Sequence, residues 1–157
     1  MKITSVIQKE FVIEELRAAT KEEVLAELAS VLPRDSIKYT LEDVVKILME
    51  RERLGSTGIG DGIAIPHGKI PGLGDLHVSF GRSKKGVAFD ALDGKPVYLF
   101  FLLMAPEHAS GQYLKALAKI SRMLKDNTFK TSLMEAKSRE DLHRVIAAKD
   151  EEGSING

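Results

Sequence analysis

His67 closes the stretch of this chain whose residue types point most directly to chemistry. The stretch reads Gly55-Ser-Thr-Gly-Ile-Gly-Asp-Gly-Ile-Ala-Ile-Pro-His67-Gly-Lys69, a glycine-rich loop followed by a short apolar run. The proline before the histidine restricts the backbone, and the glycine after it places no side chain beside the imidazole. We therefore expect an accessible histidine that meets a large group presented from outside, such as a phosphoryl group on another protein.

An imidazole of this kind is suited to carrying a phosphoryl group. Its unperturbed pKa of about 6.5 leaves a nitrogen lone pair available at neutral pH, and phosphoryl transfer needs mainly positioning and charge neutralisation. Arg51, Ser56, Thr57 and the glycine backbone lie just upstream and offer a guanidinium, hydroxyls and N–H groups for phosphoryl oxygens. Two plainer interpretations stay open: Arg51 is a surface charge beside Glu50 and Glu52, and Gly-Ser-Thr-Gly is a flexible turn.

Other chemistries that a glycine loop or a histidine could serve find little support. A phosphate loop needs four residues between its glycines and then Gly-Lys-Ser/Thr, whereas Gly62 and Gly68 are separated by five and Ile70 follows Lys69. The dinucleotide fingerprint GxGxxG is absent, as is the Gly-x-Ser-x-Gly elbow of serine hydrolases. The four histidines are scattered and no HExxH occurs, so no metal and no cofactor are expected.

Composition places the chain among ordinary globular domains. Its 157 residues suit one domain, and 23 basic against 23 acidic residues give no net charge, which argues against nucleic-acid binding. There is no cysteine for a disulfide, a thiolate nucleophile or a cysteine zinc site. The start lacks a signal-peptide core, and the most apolar run, residues 97 to 104, is far shorter than a membrane span. We expect a cytoplasmic protein without membrane insertion.

The hydrophobic pattern predicts helices before and after a central set of strands. Thr20 and Thr40 each begin a capping-box pattern followed by an apolar stripe, which places Arg51 near the end of the second helix. Residues 76 to 81 alternate as a half-buried strand does, and residues 97 to 104 are apolar on both faces, as in a covered central strand. This order predicts an α/β fold, an α/β/α sandwich with a mixed central sheet flanked by helices.

The last third of the chain predicts further helices and a short tail. Tyr113, Leu117, Ile120 and Leu124 share one helical face, and Ser138 could cap a final helix through Val145. Residues 149–157 are polar and end in glycine, so we expect a disordered C-terminal tail after a domain covering residues 1–148.

The segment from Arg51 to Lys69 closely resembles the type-2 enzyme IIA domain, the fructose/mannitol class, of the bacterial phosphotransferase system. The nitrogen-regulatory IIA proteins look closest. Phe89-Asp-Ala-Leu-Asp-Gly-Lys-Pro-Val97 is similar to the family's segment before its central strand, and Leu102-Leu-Met-Ala-Pro106 to the strand's exit. The likeness runs from about residue 5 to 148, and the Ser-Thr-Gly to Pro-His-Gly-Lys block is highly specific.

The resemblance implies roles for particular residues. His67 matches the family's phosphorylated histidine, which accepts its group from a histidine phosphocarrier protein of the HPr type, and Arg51 matches the arginine beside it. The family commonly has a second histidine near the first, and the alignment places Tyr113 there. A tyrosine hydroxyl can donate a hydrogen bond but cannot become cationic. His108, five residues away, is not expected to replace it, and Tyr113 fits core packing equally well.

Three functions remain open at this point. The first is a regulatory phosphocarrier whose two states bind different target proteins; the added charge of about −1.5 to −2 at pH 7 could reverse a binding preference. The second is a stand-alone IIA that passes phosphate to a IIB component of a fructose- or mannitol-type permease. The third is an interaction module with weakened phosphotransfer, for which Tyr113 is the hint.

Overall fold

A computed structural model describes residues 2–33, 39–108 and 110–156 of the chain. Six strands form one mixed sheet, ordered β1-β5-β6-β3-β2, and β4 also pairs with β6. Strand β5 runs antiparallel to β6, while β1 is parallel to β5 and both β3 and β4 are parallel to β6. The strands are β1 (Val12–Ile13), β2 (Gly58–Gly60), β3 (Ile63–Ala64), β4 (His67–Lys69), β5 (His77–Val87) and β6 (Val97–Ala105).

Helices cover both faces of this sheet. On one face Ser79 donates its hydroxyl to the Leu28 carbonyl at 2.8 Å. On the other, the buried Arg82 donates to the Leu133 and Ala136 carbonyls at 2.8 and 2.6 Å. The predicted α/β/α sandwich with a mixed sheet is confirmed. The helices are α1 (Lys21–Ser30), α2 (Leu41–Arg53), α3 (Ser110–Met123), α4 (Asn127–Glu135) and α5 (Arg139–Asn156), and short 3-10 turns span Ile3–Ser5 and Lys9–Phe11.

The central strands carry most of the core. Strand β6 is buried along nearly its whole length, as its two apolar faces predict. Strand β5 differs from the predicted half-buried strand, because Ser79 and Gly81 are buried as well. A Cβ at Gly81 would lie 2.9 Å from methyl groups of both Leu16 and Leu28, so the α1 side packs directly on this strand. The alternation of residue types therefore reflects close helix packing rather than exposure to solvent.

The two N-terminal helices begin as predicted. The side chains of Thr20 and Thr40 each accept a hydrogen bond from the backbone N–H of the third helical residue. The side chain of that residue, Glu23 in α1 and Asp43 in α2, accepts in return from the backbone N–H of the threonine. Such capping boxes satisfy two otherwise unpaired N–H groups. Helix α2 ends at Arg53, so Arg51 lies in its last turn beside the glycine loop.

The glycine loop contains the β2–β3 hairpin, which packs against a second loop, residues 89–94. Gly60, Asp61 and Gly62 all have positive φ between β2 and β3, a turn that glycine allows at little cost. Gly58 lies so close to Ala91 that an added Cβ would be 2.9 Å from the Ala91 Cα. The Leu92 N–H also donates to the Gly58 carbonyl at 2.9 Å. These contacts hold the loop that leads to His67 against residues 89–94.

The C-terminal helix extends beyond the predicted boundary. Residues from 149 onward, expected to be a disordered tail, continue α5 to Asn156, and Gly157 lies outside the described residues. Lys149 pairs with Asp126 at 2.7 Å. Asp150 is fully buried and accepts from the N–H groups of Ile3 and Thr4, each at 3.0 Å. These long-range contacts hold residues 149 and 150 against the domain, and the disorder expected of the tail stays a prediction.

Candidate functional site

His67 begins β4 and is positioned by pairing with the central strand. His67 is in register with Leu103, and the Leu103 N–H donates to the Pro66 carbonyl at 2.9 Å. Proline has no N–H to donate, so the chain can interrupt its pairing with β6 between β3 and β4 without losing an N–H hydrogen bond at that residue. Among the described residues no strand pairs with the outer edge of β4. The histidine therefore lies at an open edge of the sheet.

The packing around Gly68 shows which way the histidine faces. A Cβ at Gly68 would lie 3.1 Å from the Leu48 Cδ2 of α2, so α2 covers this side of β4. Successive residues of a strand point to opposite faces, which puts His67 and Lys69 together on the other side. A larger residue at position 68 would therefore crowd α2, on the side of β4 opposite to the imidazole.

The tautomer of His67 follows from one hydrogen bond. Its Nδ1 lies 2.7 Å from the Ile65 carbonyl oxygen, an acceptor, so Nδ1 carries the proton. In the neutral ring this leaves the lone pair on Nε2. The ring is half-buried, and the carbonyl holds it in one orientation with a defined nucleophilic nitrogen.

Burial and a neighbouring charge favour the neutral form of this ring. Burial lowers the pKa of His67 below its usual value, and the nearby Arg51 charge lowers it further. The Ile65 carbonyl and the Glu52 carboxylate act in the opposite direction, but the pKa is lowered overall. A lower pKa keeps the Nε2 lone pair free across the neutral range, as a nucleophile requires.

The structure brings Arg51 and Tyr113 to His67. The Arg51 guanidinium donates to the Gly55 carbonyl at 3.0 Å, which turns it toward the loop, and its charge acts on both rings. The His67 and Tyr113 ring centroids lie 5.7 Å apart in an edge-to-face arrangement. Burial raises the pKa of Tyr113, so its hydroxyl is neutral at physiological pH. Tyr113 also packs against the hydrophobic core, so both roles expected for it are compatible with its position.

The hydroxyls of Ser56 and Thr57 are already engaged within the protein. Ser56 donates to the Phe89 carbonyl at 3.2 Å and accepts from the Gly58 N–H at 3.0 Å. Thr57 is buried and donates to the Glu52 carboxylate. Their phosphate-binding role stays a prediction, and the hydrogen bonds observed are those that shape the loop.

Glu52 is a residue that the sequence reasoning missed. Its buried carboxylate accepts from the Thr57 N–H at 3.1 Å and from the Thr57 hydroxyl, and it pairs with the Lys21 ammonium at 3.0 Å. A carboxylate is rarely buried unless it is paired. The available signal was an acidic residue between two arginines at a helix end, five residues before a threonine that could reach back to it.

Lys69 lies beside the pair of rings formed by His67 and Tyr113. Its Nζ lies 6.0 Å from the centroid of the Tyr113 ring, within the range of a cation–π contact. The other histidines are placed elsewhere: His77 packs edge-to-face on Phe11, and His143 Nε2 lies 3.1 Å from the Ile7 carbonyl. His108 is exposed in the turn before α3. Within the described residues no group of three or more metal-ligating side chains is found.

None of the helices within the described ranges combines the length and apolar character that a membrane span requires.

Comparison with known proteins gives a consistent result over the whole fold. Residues 5–149 match the family described as "Phosphoenolpyruvate-dependent sugar phosphotransferase system, EIIA 2". A nitrogen regulatory protein of Bradyrhizobium diazoefficiens is 37% identical over 147 residues, covering 94% of this chain and 95% of the relative. The fructose-specific EIIABC component of Bacillus subtilis is 35% identical over 150 residues, which are 96% of this chain but 24% of that protein.

Solved structures agree. The nitrogen regulatory protein IIA-Ntr of Neisseria meningitidis superposes with a TM-score of 0.85 at 35% identity, covering 92% of this chain and 98% of that one. The mannitol IIA of Escherichia coli, at 21% identity and a TM-score of 0.69, shares the fold and covers 89% of this chain and 98% of its own. With a family match over nearly its full length, the chain belongs to the EIIA 2 family of the phosphoenolpyruvate-dependent sugar phosphotransferase system.

Proposed function

We propose that the protein is a histidine phosphocarrier that accepts a phosphoryl group on Nε2 of His67 from an HPr-type phosphocarrier protein. Membership of the EIIA 2 family supports the carrier role. The observation that carries the assignment to one atom is the 2.7 Å hydrogen bond between Nδ1 and the Ile65 carbonyl, which leaves Nε2 as the free nucleophile. Arg51, beside it, is the cation proposed to face the phosphoryl oxygens.

The transfer step balances without a further reactant. The Nε2 lone pair forms the new nitrogen–phosphorus bond, and the donor's phosphohistidine bond breaks with its electron pair returning to the donor imidazole, which is protonated on its other ring nitrogen and so leaves as the neutral ring. The proton on Nδ1 stays hydrogen-bonded to the Ile65 carbonyl throughout. No acid or base is required, so the protein's contribution is orientation of the ring and neutralisation of charge.

A protein partner suits the surface around the site. Leu54, next to the loop, is 85% exposed, and Leu114, the neighbour of Tyr113 on α3, is 60% exposed. Exposed leucines beside a half-buried nucleophile are suited to transient contact with another protein's surface. A phosphoryl group arriving on such a partner needs no deep pocket.

Phosphorylation on His67 can be tested directly. The protein is incubated with phosphoenolpyruvate labelled in its phosphoryl group, enzyme I and an HPr-type carrier, and acid-labile, base-stable label is measured. We expect label on the wild type and on His143→Gln, the matched control far from the site, and none on His67→Ala. An unlabelled wild type would contradict the carrier function, and label on His67→Ala would move the site elsewhere.

We further propose that the protein acts mainly as a regulator whose targets distinguish its two states. The nitrogen regulatory names of its full-length relatives support this. The second candidate, delivery to a IIB component, is favoured by the fructose-specific Bacillus relative and by an Escherichia coli mannitol IIA solved with phosphorylated IIB. Mixing the phosphorylated protein with fructose- and mannitol-type IIB domains separates them. Rapid loss of label to IIB would favour delivery, and retention would favour regulation.

A further inference from the structure

Lys69 lies on the face of β4 that carries His67, and its Nζ is 6.0 Å from the centroid of the Tyr113 ring. His67 and Lys69 are separated on the strand by one residue, Gly68, which faces α2. The Tyr113 ring contacts both, with its centroid 5.7 Å from the His67 ring and 6.0 Å from the Lys69 Nζ. His67, Tyr113 and Lys69 therefore form one group at the open edge of the sheet.

The phosphorylated site needs more positive charge than Arg51 alone supplies. A phosphoryl group carries about −1.5 to −2 charges at neutral pH. Among the described residues, Arg51 of α2 acts on both rings, and Glu52 of α2 opposes its effect at His67. Tyr113, from α3, is a neutral donor because its pKa is raised by burial. The phosphoryl group would thus meet the Arg51 guanidinium, the uncharged Tyr113 hydroxyl and the Glu52 carboxylate, which is paired with the Lys21 ammonium.

We infer that Lys69 is the second phosphoryl-binding cation of this site, an inference that rests on the phosphorylation of His67 proposed above. The lysine stem has four rotatable carbons, so its ammonium can leave the face of the Tyr113 ring and reach a phosphoryl oxygen on its strand neighbour. It makes and breaks no covalent bond. Its ammonium neutralises charge on the bound phosphoryl group, and its position over the Tyr113 ring places it near the site.

The test measures the phosphoryl group itself as well as its transfer. Wild type, Lys69→Gln, Lys69→Arg and Lys85→Gln are phosphorylated, and the pKa of the phosphoryl group is followed by ³¹P NMR. Lys85 is an exposed lysine at the opposite end of the sheet, so it is the matched control. Removal of a nearby cation should raise the phosphoryl pKa by roughly 0.3–0.7 unit and slow acceptance about threefold to tenfold. Lys69→Arg and Lys85→Gln should behave like the wild type.

The outcomes separate this inference from the proposed function. Absence of a phosphohistidine signal in the wild type overturns both. A normal wild-type signal with the same phosphoryl pKa in Lys69→Gln and Lys85→Gln overturns the role of Lys69 and leaves the phosphocarrier function intact. A shift confined to Lys69→Gln, restored by Lys69→Arg, supports it, because a merely structural change would not depend on charge.

Discussion

At the scale of single residues, two neighbours on the last turn of α2 act on His67 with opposite signs. The Arg51 charge lowers the pKa of His67 and the Glu52 carboxylate raises it, while burial makes the largest contribution. Adjacent residues point in different directions around a helix, and Glu52 is accordingly buried under the loop while Arg51 reaches the Gly55 carbonyl. The helix end thus both holds the loop and sets the charge around the imidazole.

This opposition predicts two pKa changes of opposite direction. Arg51→Gln should raise the pKa of His67, and Glu52→Gln should lower it, each by about a few tenths of a unit. Titration of the His67 ring by NMR measures both, with the exposed Glu50→Gln as control. Because only the neutral ring has a free Nε2, the acceptance rate should fall as pH drops through the pKa of His67, at a higher pH in Arg51→Gln. Shifts in the same direction would contradict this view of α2.

Tyr113 gives the second prediction at this scale. Tyr113→His places a group that can become cationic where the structure has a neutral phenol, so the rate of phosphoryl acceptance should be kept or raised. Initial rates with the HPr-type carrier measure this, with the surface change Tyr39→His as a control. A severe loss confined to Tyr113→His would show that the phenol has a specific role in the site.

At the scale of elements, the parts that could be predicted from sequence are those with local signals. The caps at Thr20 and Thr40 and the apolar run of β6 are of this kind, and all three are confirmed. Strand β1 was not predicted because it has two residues and is defined by pairing with β5. Helix α4 was also missed. Its cap, Asp126, accepts from the Thr128 N–H, but no capping box marks it in the sequence.

The candidate site divides in the same way. His67, Arg51 and Tyr113 could be named from a motif and an alignment, and the structure brings them together. The hydrogen bond between Thr57 and Glu52 could not be predicted, because both residue types are also common on solvated surfaces and only the burial of the loop brings these two together. The face shared by His67 and Lys69 likewise depends on α2 packing against Gly68.

The packing of α2 on β4 leads to a prediction for Gly68. Gly68→Ala puts a methyl group 3.1 Å from the Leu48 Cδ2, so the packed Leu48 side chain must move by a few tenths of an ångström, and we expect a loss of about 1 kcal/mol in the free energy of unfolding. Phosphoryl acceptance should slow as well, because β4 carries His67. Urea unfolding measures the first effect.

Gly111→Ala is the matched control for this change. An added Cβ at Gly111, in α3, meets no heavy atom of the described residues within 4 Å, so replacing a helical glycine should stabilise by about 0.5–1 kcal/mol. Equal stability changes at the two glycines would contradict the close contact between α2 and β4.

At the scale of the whole molecule, one buried carboxylate joins three distant segments. Asp150 of α5 pairs with the Lys119 ammonium of α3 at 2.5 Å and accepts from Ile3 and Thr4 of the N-terminal turn. Burial alone would raise the pKa of Asp150, but the lysine and the N-terminal donors outweigh it, so the pKa is lowered. Since α3 also carries Tyr113, these contacts help to fix the helix that lines the site.

The lowered pKa of Asp150 predicts how stability depends on pH. Above the unfolded pKa of about 3.9 the contribution of Asp150 is fully present, and it is lost as pH falls through the folded pKa, because the unfolded chain binds the proton first. Asp150→Asn removes the charge opposite the buried Lys119 and should cost about 3–5 kcal/mol at pH 7. Urea unfolding at pH 7 and pH 3 checks this, since the difference from wild type should shrink in acid.

The exposed Asp75→Asn is the control for this experiment. It should leave the free energy of unfolding nearly unchanged at both pH values. A loss in Asp150→Asn that is equally large at pH 3 and pH 7 would show that the contribution of Asp150 does not depend on its ionisation.

The same carboxylate has a topological consequence. Because residues 3 and 4 hydrogen-bond to the side chain of residue 150, the N-terminal segment and α5 lie side by side, and the two ends of the domain are close in space. A short linker could therefore join residues 2 and 151, and a circular permutant could have its new termini at an exposed turn far from His67. A domain built in this way can also be inserted into a longer polypeptide without stretching its neighbours. The Bacillus relative, of which the matched region is 24%, is a longer protein.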